Sequence, residues 1–165
     1  MNNCNSFKPS IDKNSKILIL GSMPGVKSLS ERQYYAHPQN RFWKVLGNIC
    51  NAPELYEFDY DMKLKTLLEN NIALWDTIKS CKRKGSLDSD IQNETPNNIK
   101  GLLKKYPNVK AIYLNGGKSY CAFNKYFPNI LASYNCYKMP STSPANARYS
   151  LDKLISEWSL IKIYM

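Results

Sequence analysis

The chain has 165 residues, 43% apolar and 22% charged, which fits one globular domain with a single core and leaves little room for a second. Lys and Arg number 23 against 13 Asp and Glu, a formal net charge of +10 that favours polyanionic partners such as DNA, RNA and nucleotides and disfavours cationic substrates. The basic residues are nearly all Lys and Asn is abundant, so the same charge also fits a compositional bias. Five cysteines (Cys4, Cys50, Cys81, Cys121, Cys136) form an odd set without a CxxC pair, which gives neither a disulfide framework nor a zinc or iron–sulfur ligand set. No apolar run approaches the roughly 20 residues that cross a bilayer, and Met1 to Ser15 lacks the apolar block of a signal peptide. The expectation is a cytoplasmic protein with no membrane contact, one domain over 1–165, and a loosely ordered start over 1–14.

In chain order, Lys16 to Leu20 is a short apolar run ending at Gly21, suited to a strand buried on both faces. Phe42, Val45, Leu46, Ile49 and Cys50 then follow helical spacing and place one stripe against a sheet. A second strand is predicted at Ile72 to Trp75. Thr95 reads as an N-cap with Pro96 at the first helical position, opening a helix through Ile99, Leu102, Leu103 and Tyr106. Val109 to Leu114 and, more weakly, Tyr134 to Met139 complete four strands, and a last helix follows Ser150 with Leu151, Leu154, Ile155 and Trp158 on one face. Strands alternating with helices require crossover connections, hence a mainly parallel sheet covered by helices on both sides. Ligands in such a sheet sit beyond the carboxyl ends of the strands, so the loops after Leu20, Trp75, Leu114 and Met139 are where chemistry is sought.

The first of these loops, Gly21-Ser22-Met23-Pro24-Gly25, lets main-chain N–H groups approach a ligand, although it is neither GxxxxGK[ST] nor GxGxxG and also reads as a plain turn. Downstream, Gln33 to Trp43 joins aromatic rings, the chain's only His and Asn40 just before the helical stripe. Asn40 reads as a helix N-cap, His37 as a loop residue held by main-chain bonds, and Tyr34 and Tyr35 as packing aromatics or as a stacking surface for a base. The loop Met139 to Arg148 is rich in hydroxyls, lacks a carboxylate and ends in a cation, the usual phosphate donors, and it reads equally as a surface turn. Asn115-Gly116-Gly117-Lys118 opens a helix whose N-terminus could face an anion. Lys82-Arg83-Lys84 is a basic run that reads as solvated or as grazing a DNA backbone.

Taken together, a strand followed by GSMPG, then HPQNRFW (His37 to Trp43), and later MPSTSPANAR (Met139 to Arg148) resemble the uracil-DNA glycosylase superfamily. HPQNRFW is similar to the HPxNRFW of mismatch-specific uracil-DNA glycosylases. GSMPG with SLSERQYYAHP, ALWDTIKSCKRKGSLDS and PSTSPANA resembles the hypoxanthine-DNA (deoxyinosine) glycosylase branch. The matches spread from Lys16 to Arg148. The resemblance implies a three-layer α/β/α sandwich on a central four-stranded, mainly parallel sheet, and a monofunctional glycosylase that flips a deaminated base, foremost hypoxanthine, out of double-stranded DNA. Mismatch-specific uracil excision and a catalytically inactive nucleic-acid binder are the alternatives it leaves. A flavodoxin-like nucleotide-binding domain is a further, weaker reading.

Two departures matter. Mismatch-specific enzymes carry Gly-Ile-Asn-Pro-Gly, and Met23 occupies the slot of the Asn that aligns water; a thioether cannot hold a water for attack. Ser141 stands where uracil-specific enzymes place the His of HPSP. The resemblance therefore assigns water positioning to Asn40, and base contacts to Gly21, Ser22, Met23, Pro24, Gly25, Tyr35, His37 and Ser141. DNA contacts fall to Thr142, Ser143, Pro144, Asn146, Arg148 and Lys118. No metal, no cofactor and a monomeric state are expected.

Overall fold

A computed structural model describes residues 2–165. The chain runs through β1 (Asn2–Asn5), β2 (Ile17–Gly21), α1 (Val26–Glu31), α2 (Phe42–Ile49), α3 (Tyr60–Glu69), β3 (Ile72–Asp76) and β4 (Ile78–Arg83). It continues through β5 (Gln92–Pro96), α4 (Ile99–Lys105), β6 (Ala111–Asn115), α5 (Gly117–Tyr126), α6 (Pro128–Ser133), β7 (Asn135–Met139) and α7 (Leu151–Trp158). The predicted strands form one parallel sheet in the order β3-β2-β6-β7. β2 is central, and Ile17, Leu18, Ile19 and Leu20 are all fully buried, which is why four consecutive apolar residues are tolerated. Ile17 and Ile19 pack with Phe42, Val45, Leu46, Leu67, Leu154 and Trp158 from α2, α3 and α7. Leu18 and Leu20 face the opposite layer, where Ile99, Leu102, Leu103 and Phe123 of α4 and α5 pack. The three-layer α/β/α sandwich is thus the observed architecture. β7 lies at the sheet edge with only Met139 buried, consistent with its weaker apolar pattern.

Two local expectations are corrected. The start is not loose: Asn2 to Asn5 pair antiparallel with β4, Ser6 N–H donates to Lys79 O, and Ser10 bridges Leu74. Strand β1 is polar in sequence because Cys4 alone of its residues is buried. Thr95 does not cap a helix. It lies in β5, where its hydroxyl meets that of Ser80 at 2.6 Å, and α4 begins at Ile99, capped by Asn98 Oδ1 accepting from Gly101 N–H. β1, β4 and β5 form a second, antiparallel sheet. Within the basic run, Lys82 and Lys84 are exposed while Arg83 is buried at 1% exposure.

Candidate active site

The four parallel strands end at one cavity of about 920 Å³, a volume in the range of small-ligand sites. The Gly21 to Gly25 loop forms one wall, tied to β3 and β4 by Thr77 N–H to Gly21 O (2.8 Å) and Ile78 N–H to Ser22 O (3.1 Å). The Arg83 guanidinium holds the Pro24 carbonyl from behind. Ser22 Oγ donates to Asp88 Oδ1 at 2.6 Å across the mouth. Met23, expected to meet substrate, turns its side chain into a small apolar cluster with Cys4, Ile78, Cys81 and Ala122 and keeps only 6% of its surface. The loop therefore faces the cavity with main chain and carries its thioether as an anchor.

Opposite stands the segment Tyr34 to Phe42. Tyr35 has φ 55°, a left-handed conformation that is strained for an aromatic residue and clusters at functional sites. Its ring stacks on buried Phe42 with centroids 3.8 Å apart and 17° between planes. The Tyr35 hydroxyl accepts from Asn115 Nδ2 at 3.2 Å, and burial holds it neutral by raising its pKa. Asn40 is half-buried and lines the cavity. The expected N-cap role is corrected: Arg41 is the N-cap of α2, and Asn40, one residue earlier, closes a local turn with Oδ1 accepting the Phe42 N–H at 3.0 Å while it borders the open space. His37 is exposed at the rim, its Nδ1 accepting from Gln39 N–H.

The third wall is the hydroxyl-rich loop after β7. Ser141, Thr142, Ser143, Pro144 and Asn146 all border the cavity, but they are not equivalent. Thr142 is fully buried: its N–H donates to Asn115 Oδ1, its hydroxyl accepts from Asn115 Nδ2, and its carbonyl accepts from Arg41 N–H. Thr142 thus fixes the base of the loop to Asn115 and Arg41 and has no surface of its own exposed. The Arg41 guanidinium reaches the carbonyls of Tyr149, Ser143 (2.9 Å) and Asn146 (3.0 Å), drawing the loop into a hook. Pro144, Ala145 and Arg148 project to solvent at its tip, Arg148 outside the cavity. Lys118 is also outside the cavity. Its ammonium pairs with Glu94 at 2.7 Å on the β5 side.

Sequence reasoning missed three residues. Asp76 ends β3 on the cavity at 3% exposure, and burial, reinforced by Asp88, pushes its carboxyl up to about 8 against the pull of Arg83. Asn115 latches Tyr35 to Thr142, and Arg41 clamps the loop. The signal for Asp76 was available: an acid closing an apolar strand at the carboxyl edge of the sheet. Among the described residues no group of three or more His, Cys, Asp and Glu gathers to hold a metal ion.

Main chain, aromatic rings and amides converging over the carboxyl edge of a parallel sheet define a small-molecule site in an α/β/α protein. The family described as the uracil DNA glycosylase superfamily matches residues 9–164. The chain belongs to that superfamily. A protein of Methanosarcina acetivorans named hypoxanthine DNA glycosylase is 38% identical over 156 residues, covering 94% of this chain and 95% of its own length. Its namesake in Methanosarcina barkeri is 41% identical over 154 residues, covering 93% and 94%. A solution NMR structure from M. acetivorans, provisionally called a uracil DNA glycosylase, superposes with a TM-score of 0.83 at 37% identity over 97% of this chain and 96% of that one. No helix among the described residues is long and apolar enough to cross a membrane.

Proposed function

We propose that this chain is a monofunctional DNA glycosylase that removes hypoxanthine from double-stranded DNA, acting as a monomer in the cytoplasm. The observation that carries the reading is the placement of Asn40, Tyr35 and the Gly21 to Gly25 main chain around one cavity. The curated relatives' names supply the base. A base within a duplex is out of reach, so the nucleotide rotates out at a cost of a few kcal/mol, lowest where pairing is already weak. Stacking on the Tyr35 ring, itself backed by Phe42, returns about 1–3 kcal/mol. The exposed tip at Pro144 and Ala145 fills the vacated stack, and Arg148 meets phosphate.

An amide cannot take a proton strongly, so Asn40 orients water toward C1′ while the glycosidic bond breaks ahead of attack. Stabilising the departing base is then the main catalytic task. Of the lysines bordering the cavity, Lys27 pairs with Glu31 at 2.6 Å and Lys138 lies over the Tyr120 ring, which fits base release without a Schiff base or strand cleavage. The test is a duplex with a single hypoxanthine, treated with alkali after incubation. Strand breaks only after alkali are expected. No breaks at high enzyme would reject the reading, breaks at uracil alone would move the chain to mismatch-specific excision, and binding without release would make it an inactive binder.

A further inference from the structure

Asp76 is a carboxyl with almost nothing to hold a charge. It is 3% exposed, its Oδ2 has no hydrogen-bond partner, and Oδ1 lies 2.6 Å from where a Cβ on Gly21 would sit, a point the Tyr35 hydroxyl approaches to 3.2 Å. Arg83 on β4 is the cation that acts on it, yet the guanidinium spends Nη2 on Pro24 O and makes no ion pair. Asp88, on the turn across the mouth, opposes ionisation, and the hydroxyls of Tyr34, Tyr35 and Tyr60 that feel Asp76 are all held neutral by burial. His37, Lys27, Lys138 and Glu157 also border the cavity. A buried carboxyl without donors takes up a proton in preference to remaining charged.

Resting on the glycosylase reading above, we propose that Asp76 in its neutral form meets the O6 carbonyl of the extruded base. Oδ2 is sealed from solvent, so Oδ1 carries the O–H that donates to O6 of hypoxanthine. Asn115, the neighbouring amide at the cavity, has both N–H donors engaged, one on Tyr35 and one on Thr142, which leaves Asp76 as the group with an unused donor. Bases that present a carbonyl at this place match it. An ionised carboxylate would repel O6, and repel it more as the electron pair of the C1′–N9 bond passes into the purine. The neutral acid instead strengthens its bond to O6 as that charge grows. Water's oxygen bonds C1′ and its proton ends on the freed base, so Asp76 keeps its own proton throughout.

The experiment is single-turnover release of hypoxanthine from duplex DNA with enzyme in excess, from about pH 6 to about pH 10, for the wild type, Asp76→Asn and Asp76→Ala. The wild-type rate is expected to fall about tenfold per pH unit above the carboxyl's ionisation near 8. Asp76→Asn, which offers an amide donor and acceptor in the same shape, should keep most of the neutral-pH rate. Its alkaline fall should move up to that set by ionisation of the base's own N1–H. Asp76→Ala should lose roughly 30-fold near pH 6, the effect of one buried polar contact left unmade, and should lack the wild type's fall near 8. The same alkaline fall in the wild type and a folded, DNA-binding Asp76→Asn would overturn the assignment while leaving the glycosylase reading intact. No release by the wild type at any pH would overturn both.

Discussion

Replacing Arg41 tests whether the hydroxyl-rich loop is held in place or merely rests there. The guanidinium makes three bonds to main-chain carbonyls, those of Ser143, Asn146 and Tyr149, and it does so across more than a hundred residues of chain. Each charge-assisted bond contributes about 1.5–3 kcal/mol net, and the carbonyls sit in a partly exposed loop that water can reach, so the low end of that range applies. Arg41→Ala should therefore weaken docking by roughly 3–5 kcal/mol, of which global stability registers the part that is not relieved by local opening. Arg41→Lys keeps the charge but not the fork, and should fall between the two. Hydrogen exchange at the Thr142 amide is the sharpest readout, because that N–H is buried against Asn115 Oδ1 and exchanges only when the loop leaves. Exchange should accelerate by about 100-fold or more in Arg41→Ala, with proteolytic cleavage appearing between Ser143 and Tyr149. Turnover on DNA should fall with the docked population while binding of a free base analogue changes little. Unchanged exchange and unchanged cleavage would show that the clamp holds nothing that the Asn115 latch does not already hold.

Other perturbations separate the parts of the site. Asn40→Ala should lower turnover at least 100-fold while leaving DNA affinity within a few-fold, and cost about 1 kcal/mol of stability through the lost hydrogen bond to Phe42 N–H; single-turnover and melting measurements on the same preparation distinguish the two effects. Because the folded carboxyl of Asp76 titrates near 8 and the unfolded one near 3.8, the native state binds the extra proton between those values. Stability from this group is complete below about pH 4, declines by about 1.4 kcal/mol per pH unit as pH rises through the window, and levels off above about 8. Denaturation midpoints of wild type and Asp76→Asn should diverge in slope over that window, and parallel slopes would contradict the burial argument. Gly21→Ala drives a Cβ to 2.6 Å from Asp76 Oδ1 and 3.2 Å from the Tyr35 hydroxyl, so base release should be lost with roughly 1–3 kcal/mol of destabilisation, read by activity and denaturant unfolding together.

How much of this was legible in the chain follows from where each residue's partner lies. The parallel sheet could be read because strands buried on both faces must be apolar throughout, and Ile17 to Leu20 announces that without help. The second sheet could not. β4 buries Ile78, Cys81 and Arg83 among exposed neighbours, and an arginine inside a basic run reads as solvated until Pro24 is seen to occupy it. Helix α3 buries only Leu67 and so lacks a stripe to detect. In the site, Asn40 and the Gly21 to Gly25 loop could be placed beside the cavity from sequence because both lie in motifs next to a strand end or helix start. The burial of Thr142 and the ion pair of Lys118 could not be read, because their partners Asn115 and Glu94 are remote in sequence.

The segment HPQNRFW is informative for a physical reason: five of its seven residues each fix a different part of the site. The His37 carbonyl accepts the Asn40 N–H at 2.9 Å and sets the turn, and Asn40 Oδ1 then starts α2. Arg41 fastens the loop after β7. Phe42 supports the ring of Tyr35, and Trp43 Nε1 donates to Tyr34 O at 3.1 Å, holding the main chain beside the strained φ of Tyr35. The Asn40 amide, the clamp on the loop after β7 and the support of the Tyr35 ring are therefore mounted on one helix start. None can shift without moving the others, and a short helix end with so many distinct obligations leaves few residue types that satisfy each position.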